Sequence, residues 1–307
     1  MDFSVTILGT SSAVPNSQRN PSSQVVRYNS NYFLIDCGEG TQIQLRRNKI
    51  NLSKINHIFI SHLHGDHVYG LFGLLSTYSM LGREKDLNIY ADAKLKDLIA
   101  YHNDFFNNKI SYKLIFHALK EGDTEILFED KLLSIKMFPL KHSIATHGFV
   151  FKEKEKQRNI KKYKIEEFNI SVSQINEIKN GSDLISQEGK LVLNKELTTD
   201  PEPVRSFAYC SDTAYFPNVI DEIKNVDLLY HEATFMNKDI KRAYKTLHST
   251  AEQAASIAEI SEVKNLLLGH FSTRYNNLDP LLAEAKVKFE NTEIAQEGKE
   301  YQIGLDF

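Results

Sequence analysis

Short apolar runs alternate with stretches of helical period along most of this chain. Ser4–Leu8, Tyr32–Ile35, His57–Ile60, Leu87–Tyr90 and Leu132–Pro139 are rich in β-branched, aromatic and aliphatic residues, as are Val204–Tyr209, Val226–Tyr230 and Lys264–Leu268. Such runs between polar and turn-forming residues predict strands. Gly70–Leu81 carries small and apolar residues at helical spacing. Thr250 and Gln253 form a capping box, and Ala251, Ala254, Ala255 and Ala258 continue on one helical face. Asp279-Pro280 opens a last helix expected to run through about Phe289. Strands alternating with helices predict a layered α/β architecture.

The pattern fails in one place. From Lys152 to Glu202 the apolar content thins and charges crowd, with Lys152, Lys154, Lys156, Arg158, Lys161, Lys162 and Lys164 close together. The segment reads as an insertion projecting from the main domain, either a functional arm or a solvated charged hairpin.

Composition narrows the class. The chain has 307 residues, 41% hydrophobic and 25% charged, enough for one large α/β domain plus an insertion. No apolar run reaches the roughly 20 residues of a membrane helix. Met1-Asp2-Phe3-Ser4-Val5 has no basic region followed by an apolar stretch, so no signal peptide is expected. Two cysteines, Cys37 and Cys210, cannot form a disulfide framework, which suggests a reducing cytoplasm. A net charge of −3 argues against non-specific coating of nucleic acid and leaves room for a local basic surface.

The densest chemistry is His62-Leu63-His64-Gly65-Asp66-His67, directly after a predicted strand. Three imidazoles and a carboxylate within six residues would leave several polar groups unsatisfied if they merely packed. A turn there can fan them around metal ions, with His62 and His64 toward one and Asp66 and His67 toward another. Imidazole and carboxylate suit zinc, and open zinc sites hydrolyse. His142, Asp212 and His270 each follow an apolar strand, so all three can gather at one sheet edge. Asp36-Cys37-Gly38-Glu39-Gly40 could pass for a phosphate-cradling loop but lacks dinucleotide-site glycine spacing, so no nucleotide cofactor is expected. His57, His102, His117 and His147 carry no motif.

In order and spacing these motifs resemble the metallo-β-lactamase superfamily and, more narrowly, the ribonuclease Z family of tRNA 3′-processing endonucleases. Leu8-Gly9-Thr10 with Pro15 and Arg19-Asn20, the Asp36–Gln42 segment, Gly70–Leu75 (with Phe72 where proline is usual), His231-Glu232-Ala233-Thr234, His248-Ser249-Thr250 and Phe271–Tyr275 extend the match over nearly the whole chain outside the insertion. The resemblance implies a four-layer αβ/βα sandwich with an inserted tRNA-binding arm at residues 152–202. It implies two Zn2+ per chain, one held by His62, His64 and His142, the other by Asp66, His67 and His270, with Asp212 bridging. It implies Asp66 as orienting base and a proton relay through Glu232 and His248, whose other role would be support of ligating histidines. His231 is expected to be structural. The substrate would be precursor tRNA, cut by a homodimer to leave a 3′ hydroxyl on the tRNA and a 5′ phosphate on the trailer. Arg274, Lys161 and Lys162 are candidate phosphate contacts, Arg274 equally a salt bridge locking the last loop. Two departures stand out: Ser211 replaces the usual glycine before the bridging aspartate and could displace it, and the insertion lacks a Gly-Pro-rich tip. The competing readings are a phosphodiesterase of the same fold acting on small or cyclic phosphodiesters, which would need no arm, and a non-catalytic RNA-binding relative, which would have lost ligands.

Overall fold

Two seven-stranded sheets carry the structure. It is a computed structural model describing residues 2–305, so Met1, the first residue of the opening segment, lies outside them. The first sheet runs, in spatial order, Glu300–Gln302, Phe3–Gly9, Ser23–Tyr28, Asn31–Ile35, Ile55–Phe59, Leu87–Asp92 and Leu114–Leu119. The second runs Thr292–Ile294, Asn265–Gly269, Leu228–Glu232, Ser206–Cys210, Thr146–Glu153, Leu133–Leu140 and Glu125–Glu129. From Asn31–Ile35 through Leu114–Leu119 the pairing is parallel, as it is from Ser206–Cys210 to Thr292–Ile294.

Strand alternation sorts the side chains into layers. Phe33, Phe59, Phe149 and Phe151 meet between the sheets, with ring centroids 5.5–5.8 Å apart across Phe59–Phe149 and Phe33–Phe151. Leu34, Ile58 and Ile89 point outward under the helices Thr41–Arg47, Gly65–Met80 and Lys94–Phe105. On the other side Ala208, Leu229 and Leu266 lie under Ala251–Ile260 and Asp279–Lys286. The architecture is therefore the four-layer αβ/βα sandwich. Parallel strands with both faces covered need near-continuous apolar runs, which is why they were legible. Ser23–Tyr28, Leu114–Leu119 and Thr146–Glu153 went unpredicted because polar residues interrupt them.

Two helix boundaries differ from expectation. The helix expected from Gly70 begins at Gly65, so Asp66 and His67 occupy its first turn rather than a free loop. Their polarity masks a turn whose side chains face a site. The last helix ends at Lys286, short of Phe289. The capping box at Thr250 is present with both of its hydrogen bonds.

The chain divides into two compact units, one comprising Met1–Phe128, Ile135–Phe151 and Ser206–Phe307, the other Glu129–Ser134 and Lys152–Arg205. The second unit has its own small core of Ile170, Ile178, Leu184, Val192 and Leu197. It is not a bare charged hairpin. It is not uniformly basic either: Lys154 pairs with Glu129, Lys156 with Glu153, Arg158 with Asp200 and Lys164 with Glu167. Lys162 stays exposed, and Lys161 donates to the carbonyls of Lys195 and Glu196.

Gly70 lets the long helix lie against the Cys37-Gly38 turn. A Cβ there would stand 2.1 Å from the Gly38 carbonyl oxygen, while one at Gly73 would meet only the end of Gln42, at 3.4 Å. Gly70→Ala should lower stability by about 1–3 kcal/mol in thermal or urea unfolding, whereas Gly73→Ala should be neutral or stabilising through helix propensity. Equal stability of the two variants would contradict the close approach.

Candidate metal centre

The histidine cluster is built at the carboxyl ends of parallel strands, where open α/β sheets place their ligands. His62 and His64 follow Ile55–Phe59, Asp212 follows Ser206–Cys210, and His270 follows Asn265–Gly269. His142 follows Leu133–Leu140. Asp212 and His270 have left-handed backbones, with φ of 49° and 56°. That conformation, which side chains with a Cβ disfavour, turns each ligand back over the sheet edge.

Two groups of donors result. His62 Nε2 lies 3.0 Å from His64 Nδ1, which lies 3.2 Å from His142 Nε2. Asp212 Oδ2 is 3.5 Å from His62 Nε2 and 3.8 Å from His142 Nε2. The other oxygen, Oδ1, is 3.1 Å from both His67 Nε2 and His270 Nε2. Asp66 Oδ2 completes that group at 3.6 and 3.5 Å from the same two nitrogens. Four donors at ordinary zinc bond lengths around one tetrahedral ion stand about 3.3 Å from one another. The observed separations bracket that value in both groups. His67 Nε2 and His270 Nε2 are buried and make no hydrogen bond, so they aim at a common point and not at a partner. The residues fit two ions sharing one carboxylate, and the centre is a histidine-aspartate metal-binding cluster of binuclear type.

His62, His67, His142 and His270 are each held by the other ring nitrogen, the support that metal-ligating histidines need. His67 Nδ1 donates to Asp36 at 2.7 Å, His142 Nδ1 to the Leu247 carbonyl at 3.0 Å, and His270 Nδ1 meets Thr234 Oγ1 at 2.9 Å. Ser61 Oγ lies 3.0 Å from His62 Nδ1. Leu247 is left-handed, φ 56°, which aims its carbonyl at His142. Burial disfavours charge on Asp212, yet His270, His67 and His62 around it hold its carboxyl well below the usual range. Burial likewise disfavours a charged His67, and Asp212 and Asp36 outweigh it and push that imidazole up. The pocket is built for positive charge.

Asp36 is the residue the motif reading undervalued. It is fully buried and accepts from Ser61 N and Oγ, His67 Nδ1 and Tyr209 Oη, all within 2.9 Å. Cys37 N donates to the His67 carbonyl and Gly70 N to the Cys37 carbonyl, which fastens the Asp36 loop to the metal helix. His147, expected to be ordinary, is buried and packs its backbone N–H and Nδ1 on the Ser61 carbonyl beside His62. His57 meets Tyr90 and His117 meets Asn88 in the first sheet, and His102 packs against the Phe72 ring at a tilt.

Glu232 is fully buried and accepts four donations, from Thr213 N, His248 Nδ1, Thr234 N and Thr234 Oγ1. Glu232 therefore positions His248 and, through Thr234, His270. His248 lines an open cavity of about 620 Å³ with His64, His142, Asp212 and His270, together with Asp66, Tyr69 and Lys245. Burial lowers the His248 pKa, but Glu232 beside it wins and raises it to about 9. A ring nitrogen of His248 also lies within 4.8 Å of donors on Asp212 and His270. His231 is buried in the second sheet with Nδ1 on the Glu232 carbonyl. Arg274 spends its guanidinium internally, on Ser272 Oγ at 3.1 Å, Asp239 at 3.6 Å and the Phe235 face. Ser211 leaves the left-handed turn to Asp212, and its Oγ donates to Asp212 Oδ1 at 2.9 Å. The replacement of glycine thus adds a hydrogen bond to the shared carboxylate.

A family model described as "Anti-Pycsar protein Apyc1" matches residues 3–290. The ribonuclease Z of Phocaeicola vulgatus is 47% identical over 295 residues, spanning 96% of each chain. The chain belongs to the ribonuclease Z family. The ribonuclease Z of Bacteroides thetaiotaomicron is 44% identical over 96% of this chain and 93% of its own. Among solved structures, the short form of human tRNase Z superposes with a TM-score of 0.72 at 26% identity, covering 98% of this chain and 100% of that one. The metallo-β-lactamase fold protein YhfI of Bacillus subtilis, 19% identical with a TM-score of 0.69 over 98% of this chain and 100% of its own, shares the fold.

Because the ribonuclease Z cluster rests on Asp36, Asp36→Asn should weaken metal binding roughly 10–100-fold, the usual cost of losing such a support. Titration with a competing chelator measures it. Undiminished affinity in a folded variant would show that His67 needs no carboxylate behind it.

Proposed function

We propose that this member of the ribonuclease Z family hydrolyses one phosphodiester of precursor tRNA, releasing tRNA with a 3′ hydroxyl and a trailer with a 5′ phosphate, with two Zn2+ bound per chain. The observation that carries the reading is the division of Asp212's two oxygens between two sets of nitrogen and oxygen donors at the floor of one open cavity. When bound, such a pair of ions polarises a phosphoryl group and makes an attacking water acidic enough to act at neutral pH.

The chain's own residues supply orientation and protons. Asp66 is fixed by the Ala13 N–H at 2.7 Å and presents its carboxylate to the cavity, where it orients the nucleophile. Glu232 holds Nδ1 of His248, leaving the other ring nitrogen free to deliver a proton to the departing 3′ oxygen. Residues 152–202 serve as the tRNA-binding arm. Lys154, Lys156, Arg158 and Lys164 are paired with carboxylates, and Lys161 and Lys162, which make no ion pair among the described residues, serve as phosphate contacts. The active form is a homodimer, for which Leu98, Tyr101 and Phe105, exposed along one helix, offer an apolar stripe. Cytoplasmic residence fits two buried, unbridged cysteines. No helix among the described residues is long and apolar enough to cross a membrane.

Mapping the product ends after incubation with a 3′-extended precursor tRNA tests the reaction. Cleavage at the tRNA 3′ end is expected, and hydrolysis confined to small or cyclic diesters would replace this function with the other reading. His248→Ala should reduce turnover about 10²–10⁴-fold with both metals retained. Loss of metal in that variant would make His248 a support or ligand instead. Deleting residues 152–202 should abolish cleavage of precursor tRNA and spare hydrolysis of a small aryl phosphodiester. Equal loss of both would assign the arm to stability or assembly.

A further inference from the structure

Among the described residues, a second group of unpaired cations lies outside residues 152–202. In the catalytic unit the helix Ile240–Thr246 packs inward through Ala243 and leaves Lys241, Arg242, Tyr244 and Lys245 exposed. The acidic residue that precedes it, Asp239, is already engaged by Arg274 and Tyr275. Tyr244 is 79% exposed, unusual for an aromatic side chain with no packing role. Favourable placement of cations in a last helical turn accounts for Lys245 and leaves Tyr244 unexplained.

The position of this helix gives the surface a direction. Lys245 lines the cavity that holds the metal donors. Tyr244 lines an adjoining cavity with Lys141 and Tyr215, and the two cavities share Leu247 and His248. A track of cations and aromatic faces therefore leads straight to the metal cluster, on a chain whose net charge of −3 offers no general attraction for polyanions. Interleaved cations and stacking rings are what single-stranded nucleic acid requires: ring faces accept bases of any sequence and ammonium or guanidinium groups meet the phosphates.

We propose that this surface, Lys141, Tyr215, Lys241, Arg242, Tyr244 and Lys245, binds the RNA nucleotides flanking the scissile phosphate as an unpaired strand. Tyr244 stacks on a base, and Lys241 and Arg242 meet phosphates. The inference rests on the proposed function and adds a second RNA-binding surface, independent of residues 152–202.

Single-turnover cleavage of a 3′-extended precursor tRNA by the full, metal-loaded chain provides the test, read as the enzyme concentration at half-saturation over a range of salt. Lys241→Ala with Arg242→Ala should raise half-saturation and lower its salt slope by one to two units, about one for each phosphate no longer neutralised. Tyr244→Ala should raise half-saturation about 5- to 100-fold, the range for removal of one base stack, and Tyr244→Phe should restore it. Failure of the parent chain to cut precursor tRNA would remove the proposed function and this inference with it. Cleavage by the parent, with half-saturation and salt slope unchanged in the variants, overturns this inference alone. So does a change in oligomeric state without a change in half-saturation, which would make the helix a protein-binding element.

Discussion

The buried carboxylate of Asp36 is the constraint around which the centre is arranged. It directly follows a strand of the first sheet, accepts the Ser61 amide and hydroxyl just before His62, holds His67 in the metal helix, and receives the Tyr209 hydroxyl from the second sheet. A buried, unpaired charge would cost several kcal/mol. The four donors around Asp36 offset that cost only when both sheets and the long helix are in register. Position of the metal donors and assembly of the sandwich are therefore one event.

The shared carboxylate of Asp212 depends on that arrangement. Its two oxygens divide between two donor sets only because the backbone enters a left-handed turn at that residue, as it does at His270 and at Leu247 behind His142. Each such turn costs on the order of 1 kcal/mol at a residue with a side chain. The fold concentrates this strain along one edge, where Ser211, Thr234 and Glu232 brace the turns with hydrogen bonds. Rigid donors leave little reorganisation for an arriving ion, and Lys245 of the basic helix lines the same cavity.

Much of this was legible in the sequence, for a physical reason. Parallel strands buried on both faces must be apolar throughout, so Val226–Tyr230 and Lys264–Leu268 announced themselves, and the polar residues directly after them marked the site edge. The metal helix was misjudged at its start because a helical turn made of Gly65, Asp66 and His67 carries no apolar period. Asp36 was passed over because its partners, Ser61 and Tyr209, lie 25 and 173 residues away. The charge of the insertion misled in the other direction: a run of lysines looks basic in one dimension, while the folded segment pairs Lys154, Lys156, Arg158 and Lys164 with carboxylates. The helix after Asn237 drew no notice because its cations matter only beside a cavity that the sequence does not draw.

Diffraction data collected on either side of the zinc absorption edge, from crystals grown with zinc, address the central claim most directly. Two anomalous peaks per chain should appear about 3.5–4 Å apart, one between His62, His64, His142 and Asp212 Oδ2, the other between Asp66, His67, His270 and Asp212 Oδ1. A single peak, or a second one coordinated by His248 in place of Asp66 and His67, would contradict the division of Asp212 between two ions.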